Sequence, residues 1–393
     1  MNGVLEEEIY VEQPDGFVVQ GEENKVYKLK KALYGLKQAP RAWYSRINDY
    51  LLKLGFERSL SETTLYVKHK GNDILIVSLY VDDLLVTGNN THLVEKFKKE
   101  MMQEFEMTDL GLMTYFLGME VQQNQHGIFI CQKKYAREIL KKFQMDECKA
   151  MSTPMNPKER LCKQDGTSQV DEGYFRSLIG CLMYLSATRS DIQFAVSLLS
   201  RFMHCATEMH LQAAKRVLRY IKGTTDYGVK FKNCQNFRFY GFSDSDWGGN
   251  VDDMRSTSGY CFSFGSGIFS WYSKKQDFVT QSTAEAEFVA AASTVNQALW
   301  LRKILVDLHI KQAEPTDVFV DNQAAISISK NPVFHGKTKH FDIKLFFVRE
   351  VQKKGNVSLV YCKSEDQLAD LFTKPLPTTR FEHLRQKIGI CSS

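Results

Sequence analysis

The sequence predicts a mixed α/β and α+β architecture built in more than one part. Three observations carry that expectation. Two apolar runs, 73–80 and 84–87, flank a short turn, the pattern of a β-hairpin. The segment 174–222 reads as helical. After residue 236, three strand-like runs in succession give way to alternating helix and strand, the order of a mixed sheet.

Bulk properties narrow the class. A chain of 393 residues has room for two or three domains. No apolar stretch is long enough to span a bilayer, so no membrane role is expected. The opening MNGVLEEEIYVEQ is acidic and lacks the apolar core of a signal peptide. A net charge of +5 is compatible with nucleic acid without demanding it. The nine cysteines form no CxxC pair and no zinc spacing, and read as reduced thiols in an intracellular protein.

The elements follow in order. Pro40 starts a helix whose apolar face is Trp43, Ile47, Tyr50, Leu51 and Leu54, and Gly55 ends it. In the hairpin that comes next, Val81, Asp82 and Asp83 lie in or beside the turn. Asn90 or Thr91 caps a helix carrying Val94, Phe97, Met101 and Phe105. The stretch 151–173, rich in Pro, Ser, Gly and charge, reads as a linker or a long exposed connection, and 222–236 as a weaker break. Within 174–222, Lys215, Arg219 and Lys222 share one face with Arg216 and Tyr220 beside them. That basic stripe suits a solvated surface as well as a phosphate-binding one. Beyond it come a strand 237–244 and a hairpin of 258–264 and 268–273 joined by Gly265-Ser266-Gly267. A long helix from near Ser282, a strand 317–321, a helical stretch from Gln323, a strand 357–362 and a final helix near 365–373 complete the pattern.

Two acidic constellations stand out. Asp82 and Asp83 are adjacent in a tight turn, where Asp is at home. A divalent cation would also relieve their mutual repulsion, so the residues alone leave turn chemistry and a metal site both open. The second set is Asp244, Glu287, Asp321 and Asp370, each at the end or start of an element. Singly, each reads as an ordinary turn, strand-end or helix-surface residue. Gathered together they could not all stay ionised without cations, and two magnesium ions about 4 Å apart would serve. Ser282-Thr283-Ala284-Glu285 fits a capping box, with Glu285 reaching back to the Ser282 amide. Glu287, four residues before Ala291 of the buried face, is then free for the metal role. Asp246 shares a strand face with Asp244 and competes with it.

Several phrases together resemble one family. Leu33-Tyr34-Gly35-Leu36-Lys37-Gln38-Ala39-Pro40-Arg41-Ala42-Trp43-Tyr44 is similar to the template-positioning motif of copia-type reverse transcriptases. Tyr80-Val81-Asp82-Asp83 resembles their catalytic hairpin, and Tyr115-Phe116-Leu117-Gly118-Met119-Glu120 their primer-grip hairpin. The phrases 240–247, 282–288, 319–322 and 368–374 resemble the four motifs of copia-type ribonuclease H, one carboxylate from each. The resemblance covers almost the whole chain and selects Asp244 over Asp246. It implies partial reverse-transcriptase fingers and palm over 1–123, then thumb, linker and connection over 124–235. A ribonuclease H-like domain over 236–377 and a tail over 378–393 follow.

The resemblance also implies roles. Asp244, Glu287, Asp321 and Asp370, with Asp82 and Asp83, would hold magnesium, or manganese in its place. Lys37, Gln38, Tyr80 and Gly118 would contact nucleic acid. The partners would be an RNA–DNA hybrid, an RNA template and DNA primer, and other Pol products or further copies of the chain. The location would be intracellular, in a cytoplasmic virus-like particle or the nucleus. In the family a further magnesium-binding Asp precedes the position of Met1, and Glu6, Glu7 and Glu8 do not occupy its place. The expectation is therefore hydrolysis of hybrid RNA, with little polymerisation by the chain as given; the alternatives are a polymerase complete only within a longer precursor or complex, and an inactive remnant that only binds nucleic acid. His335, His340 and His383 are read as surface or packing residues. Trp271, Tyr272, Lys274 and Lys275 suit a hairpin surface as well as a backbone contact.

Overall fold

Apolar residues at alternate positions build the first sheet. The computed structural model describes Gly3 and residues 7–233, 237–330 and 339–393, with side chains from 343 in the last segment. It forms two units, Met1–Leu110 with Trp300–Lys311, and Gly111–Leu299 with Gln312–Ser393.

In the first unit a short antiparallel pair, β1 (Tyr10–Val11) and β2 (Tyr27–Lys28), precedes α1 (Ala39–Lys53). Pro40 lies in the first turn of α1, where no N–H is needed, and Gly55 at φ +82° follows its end. β3 (Glu57–Arg58), β4 (Leu65–Lys70), β5 (Asp73–Tyr80) and β6 (Asp83–Gly88) make a four-stranded antiparallel sheet in that order. Leu75, Val77 and Leu79 point inward from β5 and join Trp43, Ile47 and Leu51 of α1. Phe97 and Met101 of α2 (Thr91–Glu104) close that core, and Asn90 caps α2 by accepting from the Leu93 N–H.

The second unit holds two five-stranded sheets. The first contains β7 (Tyr115–Phe116), β8 (Met119–Asn124), β9 (Gly127–Cys131), β10 (Tyr227–Lys232) and β16 (Ile390–Ser392), in the order β16-β10-β9-β8-β7. The helices α3 (Lys133–Lys142), α4 (Glu172–Leu185), α5 (Gln193–Ser200) and α6 (Glu208–Lys222) come between β9 and β10. Three expectations are corrected here. The break at 222–236 contains β10, a six-residue strand paired to β9. The tail at 378–393 forms α10 (Thr378–Lys387) and β16, because Phe381, Leu384, Ile388 and Ile390 are buried. The linker at 151–173 is irregular up to the start of α4, yet Thr153, Met155 and Leu161 are buried against the core.

The basic stripe of α6 is partly internal. Tyr220 is fully buried and Arg216 donates to Thr153 Oγ1 at 2.9 Å. Arg219 donates to the Lys149 carbonyl at 2.8 Å. Beneath α6, buried Arg189 pairs with Asp191 at 2.8 Å, and Asp191 also accepts the Tyr220 hydroxyl. Arg385 of α10 donates to that hydroxyl oxygen at 3.1 Å, which ties the C-terminal helix to the middle of the chain.

The second sheet is the ribonuclease H-like arrangement. β11 (Tyr240–Ser245), β12 (Thr257–Ser263) and β13 (Ile268–Lys275) are antiparallel neighbours. β14 (Thr316–Val320) and β15 (Val357–Tyr361) add on the other side of β11, parallel to it and to each other. The strand order is β13-β12-β11-β14-β15, with α7 (Thr283–Asp307) leading into β14 and α8 (Gln323–Lys330) and α9 (Lys339–Lys353) into β15. The expected final helix is two 3₁₀ turns, Ser364–Asp366 and Leu368–Phe372. Gln367 between them is extended, at φ −70° and ψ +100°, and its side chain is tied to the Ser243 carbonyl, so no continuous helix forms. One apolar core draws on both sheets, with Val229 and Ile390 from the first and Cys261 and Ile268 from the second.

Candidate metal centre

Sheet topology brings the acidic residues together. β11 and β14 run parallel, with Tyr240 beside Asp317 and Phe242 beside Phe319. Continuing that register sets Asp244 level with Asp321, just past the end of β14. Glu287, in the second turn of α7, is 7% exposed and Asp244 1%. Among the described residues, Asp244, Glu287 and Asp321 are the one group of three acidic, His or Cys side chains whose ligand atoms all lie within 4.8 Å. Asp244 Oδ1, Glu287 Oε2 and Asp321 Oδ1 are buried without a hydrogen-bond partner. Unmatched anionic oxygens in a low-dielectric site are what a hard divalent cation would satisfy, so the residues fit such an ion.

The electrostatics agree. Burial, with Asp244 and Asp321 nearby, pushes the Glu287 carboxyl up to about 10. Burial lifts Asp244 to about 6 against the pull of Lys374. These anions cannot all ionise at neutral pH without added positive charge.

Asp370 enters differently. It is 3% exposed, but it does not join the group of three. Its Oδ1 lies 2.7 Å from Lys374 Nζ and its Oδ2 2.6 Å from Arg380 Nη2. Lys374 Nζ is also 3.4 Å from Asp244 Oδ2, an oxygen that accepts the Thr373 hydroxyl as well. Gln367 anchors this segment by donating to the Ser243 carbonyl at 2.9 Å. Gly259, paired with Asp244 across the ladder, lets the segment approach closely: a Cβ there would lie 2.7 Å from that of Phe372.

Two local ambiguities acquire geometry. Glu285 does act as a cap: Ser282 Oγ accepts from the Glu285 N–H at 3.2 Å. Its carboxylate, however, accepts from the Gln281 N–H at 2.7 Å, one residue before the expected Ser282 amide. Asp246 accepts from the Thr257 N–H and carries the turn after β11, and burial lifts it to about 6.

The other acidic pair is set in the open. Val81 and Asp82 form the hairpin turn and Asp83 begins β6, opposite Tyr80. Val81 sits at φ +54°, a costly conformation for a β-branched residue. Trp43 Nε1 donates to its carbonyl at 2.7 Å and holds the turn. Asp82 and Asp83 are exposed, and among the described residues no third ligating side chain joins them. Lys37 is exposed, Gln38 precedes α1 and donates to Glu7 at 3.2 Å, and Tyr80 is 50% exposed. Gly118 turns the β7–β8 hairpin at φ +78° beneath the Tyr184 ring, whose hydroxyl donates to the Leu117 carbonyl at 2.7 Å. His335 and the His340 side chain lie outside the described residues, and His383 is exposed. Tyr272 stacks on Tyr260 across the hairpin at 4.9 Å, and Lys275 pairs at 2.7 Å with Asp253 of the loop that precedes β12. Sequence reasoning missed Thr373, Lys374 and Arg380. Lys374, four residues after Asp370, was readable as a partner; Arg380 carried no local signal.

The family description "Reverse transcriptase (RNA-dependent DNA polymerase)" matches residues 1–157. This match and the fold define the class: a reverse-transcriptase segment followed by a mixed α/β domain of ribonuclease H-like strand order. The chain is 40% identical over 390 residues to the retrovirus-related Pol polyprotein from transposon RE1 of Arabidopsis thaliana, covering 99% of this chain and 27% of that protein. A transposon Ty5-1 protein of Saccharomyces cerevisiae is 32% identical, with 75% of this chain and 97% of that protein covered. The chain belongs to the copia-type retrotransposon Pol polyprotein family. It spans about a quarter of the length of its Arabidopsis relative. Among solved structures, the foamy viral protease-reverse transcriptase in complex with dsDNA aligns at TM-score 0.46 and 13% identity, covering 87% of this chain and 62% of that one.

Proposed function

We propose that this chain hydrolyses the RNA strand of RNA–DNA hybrids, using magnesium, or manganese in its place, at Asp244, Glu287 and Asp321. One observation carries the reading. Three carboxylates from three separate elements converge in a buried site, each with an oxygen that no donor satisfies. Bound magnesium supplies charge that acidifies a water and neutralises a leaving oxygen. The chain's residues do the rest. The parallel β11–β14 pair fixes the spacing of Asp244 and Asp321, and α7 brings Glu287 against them from a rigid helix. Thr373 orients Asp244 by its hydroxyl, and Lys374 and Arg380 hold Asp370 at the rim. The substrate class is supported by the family: RNA-dependent DNA synthesis yields RNA–DNA hybrids that need such an enzyme.

The match over residues 1–157 also favours a polymerase role for the hairpin, with Asp82 and Asp83 as metal ligands. In that role Lys37, Gln38, Tyr80 and Gly118 face an RNA template and DNA primer.

Incubation of the full chain with a hybrid labelled on the RNA strand tests the leading reading. Cleavage should require magnesium or manganese, and Asp321→Asn should lower it about 1,000-fold with circular dichroism unchanged. Absence of cleavage by the wild-type chain, or full activity in Asp321→Asn, would overturn it.

A further inference from the structure

The acidic cluster contains a positive charge of its own. Lys374 Nζ bridges Asp370 Oδ1 at 2.7 Å and Asp244 Oδ2 at 3.4 Å. Arg380 holds the other oxygen of Asp370 at 2.6 Å, so Asp370 keeps a cationic partner if Lys374 departs. Thr373 likewise keeps Asp244 Oδ2 in a hydrogen bond. The two roles of Asp244 are thus in conflict. Its carboxylate belongs to the group with Glu287 and Asp321, and it also serves the Lys374 ammonium.

We propose that Lys374 is a tethered counter-ion that competes with a divalent cation for the Asp244 and Asp370 carboxylates. The proposal rests on the metal-site reading above. Lysine suits the task. Its charge is compact and sits on a flexible stem, unlike the planar fork of arginine. The Lys374 side chain is 38% exposed, so the ammonium can swing toward solvent while its stem stays in place. A cation seated on Asp244 feels the ammonium as a like charge a few ångströms away. Lys374 therefore lowers the affinity of the cluster for metal, and it offsets the mutual repulsion of the carboxylates when metal is scarce. It is a positioning residue: it acts on the ligands rather than on the reacting atoms.

Calorimetric titration of the full chain with manganese tests this. The wild type should bind the ion, and Asp321→Asn should bind it more weakly. Lys374→Gln should bind about tenfold more tightly or better, and Lys374→Arg, which keeps the charge, should stay within about threefold of wild type. Binding by the wild type that is not tightened in Lys374→Gln would overturn the counter-ion role and leave the metal site standing. Lack of binding by the wild type would overturn both. A second measurement needs no variant. The acylation rate of Lys374 in the wild-type chain, read by peptide mass spectrometry, should rise several-fold on saturation with magnesium. A rate that is unchanged or slower would contradict displacement of the ammonium.

Discussion

At the scale of single residues, the protonation of Glu287 is the most informative property of the site. A glutamate in the unfolded chain ionises above about pH 4.3. Folded Glu287, buried beside Asp244 and Asp321, keeps its proton up to about 10. Between those values the folded state binds more protons than the unfolded state, so stability falls as pH rises. Asp244, lifted by burial to about 6, adds to the same trend at its lower end. In the presence of a chelator, the melting temperature should therefore drop between about pH 5 and pH 9. Glu287→Gln, which stays neutral throughout, should flatten that slope and melt higher than wild type at the alkaline end by about 4 °C or more. Thermal scans by differential fluorimetry would check it, and a melting temperature that rises with pH would contradict the assigned shift.

At the scale of elements, the site depends on how closely the segment 364–374 lies against β11 and β12. Gly259 makes that approach possible, since a methyl group there would press on Phe372 and Thr373. Gly259→Ala should destabilise the protein by about 1–3 kcal/mol, the usual cost of overpacking a tight contact. It should also change manganese affinity, because Thr373, which bonds Asp244, and Lys374, which competes for it, ride on the displaced segment. Urea unfolding with the same calorimetric titration would test both effects, and wild-type values in both would refute this role for Gly259. Much at this scale was legible in the sequence. The spacing of Trp43, Ile47 and Leu51 fixed α1, and the apolar runs around Val81 and Asp82 fixed the hairpin. Short elements were not. β16 has three residues, and β10, which follows a Gly- and Thr-rich stretch, owes its stability to pairing with β16 and with β9 across long sequence distances. The segment at 364–372 was legible as helical but not as two 3₁₀ turns, because the extended Gln367 that divides them is held by a contact to Ser243, far away in sequence.

At the scale of the whole molecule, three carboxylates are far apart in the chain and converge because strand order places β11 beside β14 and α7 beneath them. Sequence reasoning reached Asp244, Glu287 and Asp321 through the order of elements together with family resemblance. It also named Asp370, and Lys374 four residues on was readable as its partner, but Arg380 becomes a neighbour only when α10 packs. Nor could it foresee that Asp82 and Asp83 lie exposed while Asp244 and Glu287 are buried and Asp321 half-buried. The metal role proposed for the later cluster is open to a direct test. Two glutamates two residues apart on α7 provide the sharpest test, since Glu285 caps the helix and Glu287 enters the cluster. The measurement is the rate of RNA-strand cleavage in a labelled hybrid by Glu287→Gln and Glu285→Gln, each compared with wild type. Glu287→Gln should lose about 1,000-fold, and Glu285→Gln, which removes only a helix cap, should stay within about threefold of wild type. Equal losses in the two variants, or full activity in Glu287→Gln, would contradict it.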